Sequence, residues 1–173
     1  MSENVIDISI TDGRYGPIGA LTNQKQVYLW GANTYGQLGT GDTNSQYNPF
    51  KPKGAFQGKI TRVQIAGGTN YGGCIIQCGN ELWAAGYNAQ GNLGIGHAAS
   101  TNSIFQKVIG ISGKIIDWNV YGYGTKDWGL SVLYDDGRVD ACGYNSSYGE
   151  TGTQSGNLHN VLQLTMFTSR SQE

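Results

Sequence analysis

Charge is scarce in this chain. Lys and Arg together number 11 and Asp and Glu 12, so charged residues make up 13% of 173, about half the usual share. The formal net charge of −1 removes the electrostatic drive for sequence-independent binding to nucleic acid or to an anionic membrane surface. No nucleic-acid partner is expected. The densest basic run, Lys51, Lys53, Lys59 and Arg62, reads as solvated loop charge. Long apolar runs are missing too: nothing approaches the roughly 20 residues of a membrane span, so no membrane insertion is expected. The opening MSENVIDISI lacks the basic and apolar regions of a secretory signal, which points to synthesis in a cytoplasm. Cysteines number only three, Cys74, Cys78 and Cys142, and histidines two, His97 and His159. An odd cysteine count argues against a disulfide framework. Cys74, Ile76 and Cys78 share one face at period two and read as small buried hydrophobes rather than half a metal site. Asp135 and Asp136 fall in a turn, no P-loop occurs, and the glycines near Gly122 open no helix. No catalytic set, cofactor site or metal site is therefore expected, and the reading is non-enzymatic.

What the chain has in excess is glycine, 28 residues, with 11 tyrosines. The glycines are not scattered. Trp30 to Gly41 reads WGANTYGQLGTG, Gly86 to Gly96 reads GYNAQGNLGIG, and Gly143 to Gly152 reads GYNSSYGETG. Anchored at Gly31, Gly86 and Gly143, the three copies stand 55 and 57 residues apart, a spacing near that of a propeller blade.

The likeness extends upstream of the anchors. VYLW (27–30), LWAA (82–85) and VDAC (139–142) each put apolar residues at their first and third positions, the period of a strand with one buried face. Before each lies a turn, NQKQ (23–26), CGNE (78–81) or DDGR (135–138), and Gly79 and Gly137 suit tight hairpins. Before the turns come IGALT (18–22), GCIIQ (73–77) and GLSVLY (129–134), and before those ISI (8–10), VQIA (63–66) and IIDWNV (115–120). Each unit thus reads as three strands, a glycine-rich turn and a long loop. No sustained helical period occurs. The expectation is one all-β domain over 1–173, with repeats at about 5–60, 61–113 and 114–173. Leu38 and Leu93, set between Gly36 and Gly39 and between Gly91 and Gly94, are expected to plug the blade core. Asn33, Asn88 and Asn145 recur two residues after each anchor and are expected to bond backbone groups of the loop.

These residues resemble the regulator of chromosome condensation repeat. The first copy carries its pattern at Val27, Tyr28, Trp30, Gly31, Asn33, Gly36, Gln37, Leu38, Gly39, Gly41, Asp42 and Pro49. The second matches at Leu82, Gly86, Asn88, Gly91, Leu93, Gly94 and Gly96, departing at Ala85 and His97. The third keeps Gly143, Asn145, Gly149 and Gly152, with one extra residue before Gly149 and Thr151 in place of the leucine. The resemblance implies a β-propeller; full propellers of this family carry about seven blades, and at most three fit here. Open sheets at both ends of such an arc expose strand edges. The first strand, ISI, and the last, VLQLTMF (161–167), are both apolar enough to need partners, and the latter reads as the first strand of a further repeat. The fold expected is therefore a partial propeller completed or capped by homo-oligomerisation, with a trimer favoured.

The remaining signal is aromatic. Tyr35, Tyr87, Tyr144 and Tyr148 fall in or beside the glycine turns, and Tyr71, Tyr123 and Trp128 in the loops between first and second strands. Rings among Asn, Gln, Ser and Thr with few charges suit sugar stacking or a low-entropy contact patch. Trp128 is the foremost expected surface contact, with Tyr87, Tyr144, Tyr35 and Tyr123 beside it; Trp118 is expected in the core. In style the chain resembles a bacteriophage tail-fibre tip. That reading implies a virion structural protein made in the host cytoplasm, partnered with other virion proteins and binding a host cell-surface glycan or protein. The alternative is a cytoplasmic propeller-repeat scaffold or small-GTPase exchange factor.

Overall fold

Three hairpin turns set the architecture. In the second and third, Gly79 (φ 62°) and Gly137 (φ 83°) take the left-handed conformation. In the first, Lys25 takes it at φ 63°, alone among the described non-glycine residues, and its N–H donates to the Thr22 carbonyl at 2.9 Å. The computed structural model describes residues 2–11, 16–56, 58–67, 71–122, 126–145, 149–152 and 159–165. Among these there is no helix; the secondary structure is twelve strands in three antiparallel four-stranded sheets. The first blade contains β1 (Val5–Ile10), β2 (Ile18–Thr22), β3 (Val27–Gly31) and β4 (Gln46–Phe50). The second contains β5 (Ile60–Ala66), β6 (Gly73–Cys78), β7 (Glu81–Tyr87) and β8 (Thr101–Lys107). The third contains β9 (Ile115–Gly122), β10 (Trp128–Tyr134), β11 (Val139–Gly143) and β12 (His159–Thr165). Within every blade the strands lie in chain order.

The fourth strands of the first two blades correct the sequence reading, which left those stretches as loop. β4 (QYNPF) and β8 (TNSIFQK) are polar and mostly exposed, so they carry no clean period-two signal. They form because the glycine turn returns the chain antiparallel to the third strand, where Leu29 pairs with Phe50 and Ala84 with Gln106. β12 is likewise a fourth strand, not the opening of a further repeat: Val139 pairs with Thr165 and Asp140 with Leu164, and Leu162 is buried in the core.

The core lies between sheets. One cluster joins the first and second blades through Leu21, Val27, Leu29 and Leu38 on one side and Val63, Ile65, Cys74 and Ile76 on the other. A second joins the second and third blades through Ile75, Leu82, Ala84, Leu93 and Val108 against Trp118, Leu130, Val132 and Cys142. β6 feeds both clusters because successive side chains leave a strand on opposite faces: Cys74 and Ile76 point to the first blade and Ile75 to the third. Leu38 and Leu93 are fully buried in these clusters and Trp118 is 2% exposed, as the sequence implied. All three cysteines are buried thiols outside any disulfide. Arg62 departs from its reading as loop charge: it lies in β5, pairs with Asp117 of the third blade at 2.5 Å and lies over the Trp118 ring.

Candidate binding surface

The glycine turns are built around the asparagine column. Asn33 Oδ1 accepts the N–H of Leu38 at 2.9 Å, and its Nδ2 donates to Thr40 Oγ1 and to the carbonyls of Asp42 and Asn44 at 2.9–3.0 Å. Asn88 repeats the bond to Leu93 at 2.8 Å, and its Nδ2 donates to the His97 carbonyl. Asn145 Oδ1 accepts the N–H of Thr151 at 3.2 Å. The reach is five residues in the first two blades and six in the third, and Thr151 takes the leucine's place, 1% exposed. These asparagines are all buried and serve the loop, not a ligand.

The residue after the first turn glycine has a second task that leaves no signal in the sequence. Gln37 and Asn92, 2% and 0% exposed, each brace their own turn by accepting a backbone N–H, from Tyr35 at 2.9 Å and from Gln90 at 3.2 Å. Each also reaches the next blade. Asn92 Nδ2 donates to the carbonyls of Lys126 (3.0 Å) and Trp128 (2.5 Å), and Gln37 lies against Gly86. Gly86 (φ +123°) tolerates no side chain there: a Cβ would sit 2.5 Å from the Gly72 carbonyl oxygen and 3.1 Å from Gln37.

The aromatic residues divide. Tyr35 and Tyr71, both half-buried, stack at 5.0 Å, and Tyr87 meets both edge-on at 5.2 and 4.9 Å. The three come from the glycine turn of the first blade and the loop and third strand of the second. Burial, then the neighbouring Tyr71, raises the Tyr35 phenol above its ordinary value; burial first raises that of Tyr87. Tyr87 was expected at the surface, but it ends β7 opposite Thr101 and is only 6% exposed. Tyr144 is half-buried, and its carbonyl accepts from the Tyr121 hydroxyl at 3.1 Å. Tyr123 and Tyr148 lie outside the described residues.

Trp128 is the largest correction. Expected as an exposed loop contact, it is fully buried. β10 begins at Trp128, paired with Gly122, so period two places it on the face of Leu130, Val132 and Tyr134. Its Nε1 donates to the Tyr71 carbonyl at 2.7 Å, and its ring lies against Gly73. The following Gly129, read from the sequence as the first residue of this strand, is glycine because Cys142 O and the Tyr121 ring occupy the space of a Cβ. Among the described aromatic residues, what remains at the surface of this end is the Tyr35–Tyr71 pair with Tyr144.

A second exposed surface belongs to β1. Val5, Ile8 and Ile10 are 58%, 63% and 62% exposed. With Ala20, Tyr28, Trp30 and Pro49 nearby, Val5 borders an open cavity of about 300 Å³. Among the described residues no group of three or more His, Cys, Asp or Glu side chains is placed to hold a metal ion, and no helix is long and apolar enough to cross a membrane.

Three stacked four-stranded meanders with their core between sheets define an arc of a β-propeller. Residues 25–75, which run from the first blade into the second, match the family model for the regulator of chromosome condensation (RCC1) repeat. Among curated proteins the chain is similar to the mouse secretion-regulating guanine nucleotide exchange factor (29% identity over 133 residues, 75% of this chain and 26% of that one). It is similar also to the Arabidopsis thaliana ultraviolet-B receptor UVR8 (31% over 133 residues, 77% and 28%) and the human E3 ubiquitin-protein ligase HERC2 (33% over 156 residues, 87% and 3%). The chain thus spans about a quarter of the length of the first two. Among solved structures, human WBSCR16 superposes with a TM-score of 0.75 at 20% identity, over 97% of this chain and 41% of that one. Saccharomyces cerevisiae Prp20p, described with its binding to Gsp1p and histones, gives 0.68 at 14% identity, over 93% and 38%. At such identities these two show the fold.

Proposed function

We propose that this chain is a non-catalytic, protein-binding propeller segment of the scaffold kind. The observation that carries the reading is the Tyr35–Tyr71 stack: two half-exposed rings, fixed by the buried Tyr87, at the loop end of the blades with few charges around them. Rigid aromatic contacts at low entropic cost are what a protein-binding patch needs. The relatives support it from another side. An exchange factor, a photoreceptor and a ubiquitin ligase share the repeat while their named activities differ, so the repeat's common contribution is a surface. They favour the scaffold alternative over a tail-fibre tip.

The test is binding of the purified chain to purified targets: a small GTPase with and without nucleotide, core histones, and bacterial surface glycans. Saturable binding to one of the proteins, weakened at least tenfold by Tyr35→Ala or Tyr71→Ala, is the expected result. Binding to glycans with no protein bound would overturn it in favour of cell-surface recognition. A second reading, nucleotide exchange, is favoured by the 29% identity to the mouse exchange factor; accelerated nucleotide release from the GTPase would establish it.

A further inference from the structure

The contact between neighbouring blades occurs twice in this chain, and both times it follows one register. Leu29, Ala84 and Ala141 stand two residues before the anchor glycines and pair with Gly19, Ile75 and Ser131. These in turn pair with Ser9, Gln64 and Asn119 of the first strands. Ser9, Gln64 and Asn119 are thus equivalent positions; Ser9 and Gln64 reach the following blade, while Asn119 Oδ1 accepts from Arg62 Nη2 at 3.1 Å and Gln64 Nε2 at 3.2 Å, both of the second blade. Ser9 Oγ accepts the N–H of Ile65 in the second blade at 2.8 Å. Gln64 Oε1 accepts the N–H of Val120 in the third at 3.3 Å. Ile65 and Val120 are equivalent to Ile10 of the first blade, since the three pair with Cys74, Leu130 and Ile18. One side-chain oxygen therefore reads the same edge amide of the next blade each time.

The two end faces carry the two halves of this contact. On the first blade, Ile8 is 63% exposed, whereas its equivalents Val63 and Trp118, each covered by a preceding blade, are 1% and 2% exposed. On the third blade, Leu133, Val139 and Ala141 hold the positions that Leu21, Val27 and Leu29 hold on the first. The latter three are the residues the first blade buries against the second. Leu133 and Val139 line a shallow cavity beside Asn119 on this outer face and are only half-buried.

We propose that a second copy of this chain docks by the same register. The outer face of the third blade of one copy covers the open face of the first blade of the other, and Leu133 and Val139 enter the cavity between Val5, Ala20, Tyr28 and Trp30. A second copy is the occupant because both complementary faces are on this chain and the contact continues an interface it already makes twice. The contact is heterologous and closes when the rotation permits. Two copies give a ring of six blades, within the usual range of about four to eight, whereas three copies give nine. The geometry thus points to a dimer where the sequence reading favoured a trimer.

The test is the solution mass of the full chain by light scattering after size exclusion at about 100 μM, above the weak end of standard interfaces. The expected mass is twice the 18.6 kDa of the chain. Ile10→Arg and Leu133→Arg are each expected to give a monomer with an unchanged circular dichroism spectrum. An equimolar mixture of the two variants is expected to regain dimer, since one of its two interfaces pairs an intact face with an intact face. A monomeric wild-type chain overturns the proposal. So does a Leu133→Arg variant that remains fully dimeric, which would mean that the first-blade faces meet each other, and so does a mixture that stays monomeric. Should either variant fail to fold, Ile8→Glu and Ser131→Arg, on the same two faces, take its place with the same expected masses.

Discussion

Asn88 Oδ1 accepts the backbone N–H of Leu93 at 2.8 Å, and in doing so it turns a leucine in a glycine-rich loop back into the core between blades. The bond is buried, as are both residues. Replacing Asn88 with alanine leaves the Leu93 amide without its partner in a place water does not reach, and the His97 carbonyl without its donor at a half-buried one. Each orphaned group costs about 1–3 kcal/mol, so Asn88→Ala is expected to lower unfolding free energy by about 3 kcal/mol in a urea titration. Asn88→Asp keeps the acceptor and loses the donor, and is expected to recover only part of the loss. A loss below about 0.5 kcal/mol for the alanine variant would show that the loop does not depend on the column.

Trp128 separates a binding residue from a packing residue. It is fully buried, bonded to the Tyr71 carbonyl and pressed on Gly73. Trp128→Ala is expected to cost about 3–5 kcal/mol of stability, the range for emptying a large aromatic site. Trp128→Phe should cost less, because most of the volume survives and only the Nε1 donor is lost. The pair is read by denaturant midpoints, with target binding measured only on whatever fraction remains folded. A stable Trp128→Ala protein that has lost binding alone would restore the residue to the surface role the sequence suggested.

How much of this was legible beforehand follows from what each residue's neighbours are. The blade pattern showed because glycine and period-two alternation are local signals. Gly86 needs its φ of +123° whatever the partner, and Leu82 and Ala84 alternate with Trp83 on one strand. The asparagine column was legible for the same reason, as it bonds within its own loop. β4 and β8 were not, because they are held by pairing with a strand already formed and their own side chains are mostly exposed. Trp128 was misplaced because what buries it, the Tyr71 carbonyl and Gly73, belongs to another blade. The reach of Asn92 to the Trp128 carbonyl spans two blades and leaves no mark in either repeat alone.

The three thiols make a prediction about chemistry. Burial pushes Cys142 up to about 12 and raises Cys74 and Cys78 above their ordinary value. A thiol must ionise to attack a disulfide reagent. At pH 8 the native chain is therefore expected to react with such a reagent only through unfolding, far more slowly than the same chain in concentrated urea, where all three cysteines should react at once. Fast stoichiometric labelling of even one cysteine in the native protein would contradict the burial described.

The pair of Asp117 and Arg62 ties the second blade to the third and gives a pH dependence. Asp117 accepts the N–H of Trp118 at 2.8 Å and pairs with Arg62 at 2.5 Å. These hold its carboxyl below the ordinary value, the Trp118 bond contributing most. A carboxylate whose value is lower in the folded chain stabilises the fold above the unfolded value, 3.8 here, and that contribution is lost as the pH falls through the depressed folded value. The side chain is 53% exposed, so solvent screens the pair and the contribution at neutral pH is about 0.5 kcal/mol or less. Other lowered carboxylates, Asp42, Glu81 and Asp136, titrate in the wild type and in an Asp117→Asn variant alike, so the difference between the two isolates this one. Thermal unfolding midpoints of the two proteins are expected to differ by a small constant amount from pH 7 down to about pH 5. They should then converge as the pH falls further, with the neutral-pH gap shrinking in high salt as the Arg62 contribution is screened. A gap that widened on acidification would mean that Asp117 is held above its unfolded value, and the contact between these two blades would have to be rebuilt around a protonated carboxyl.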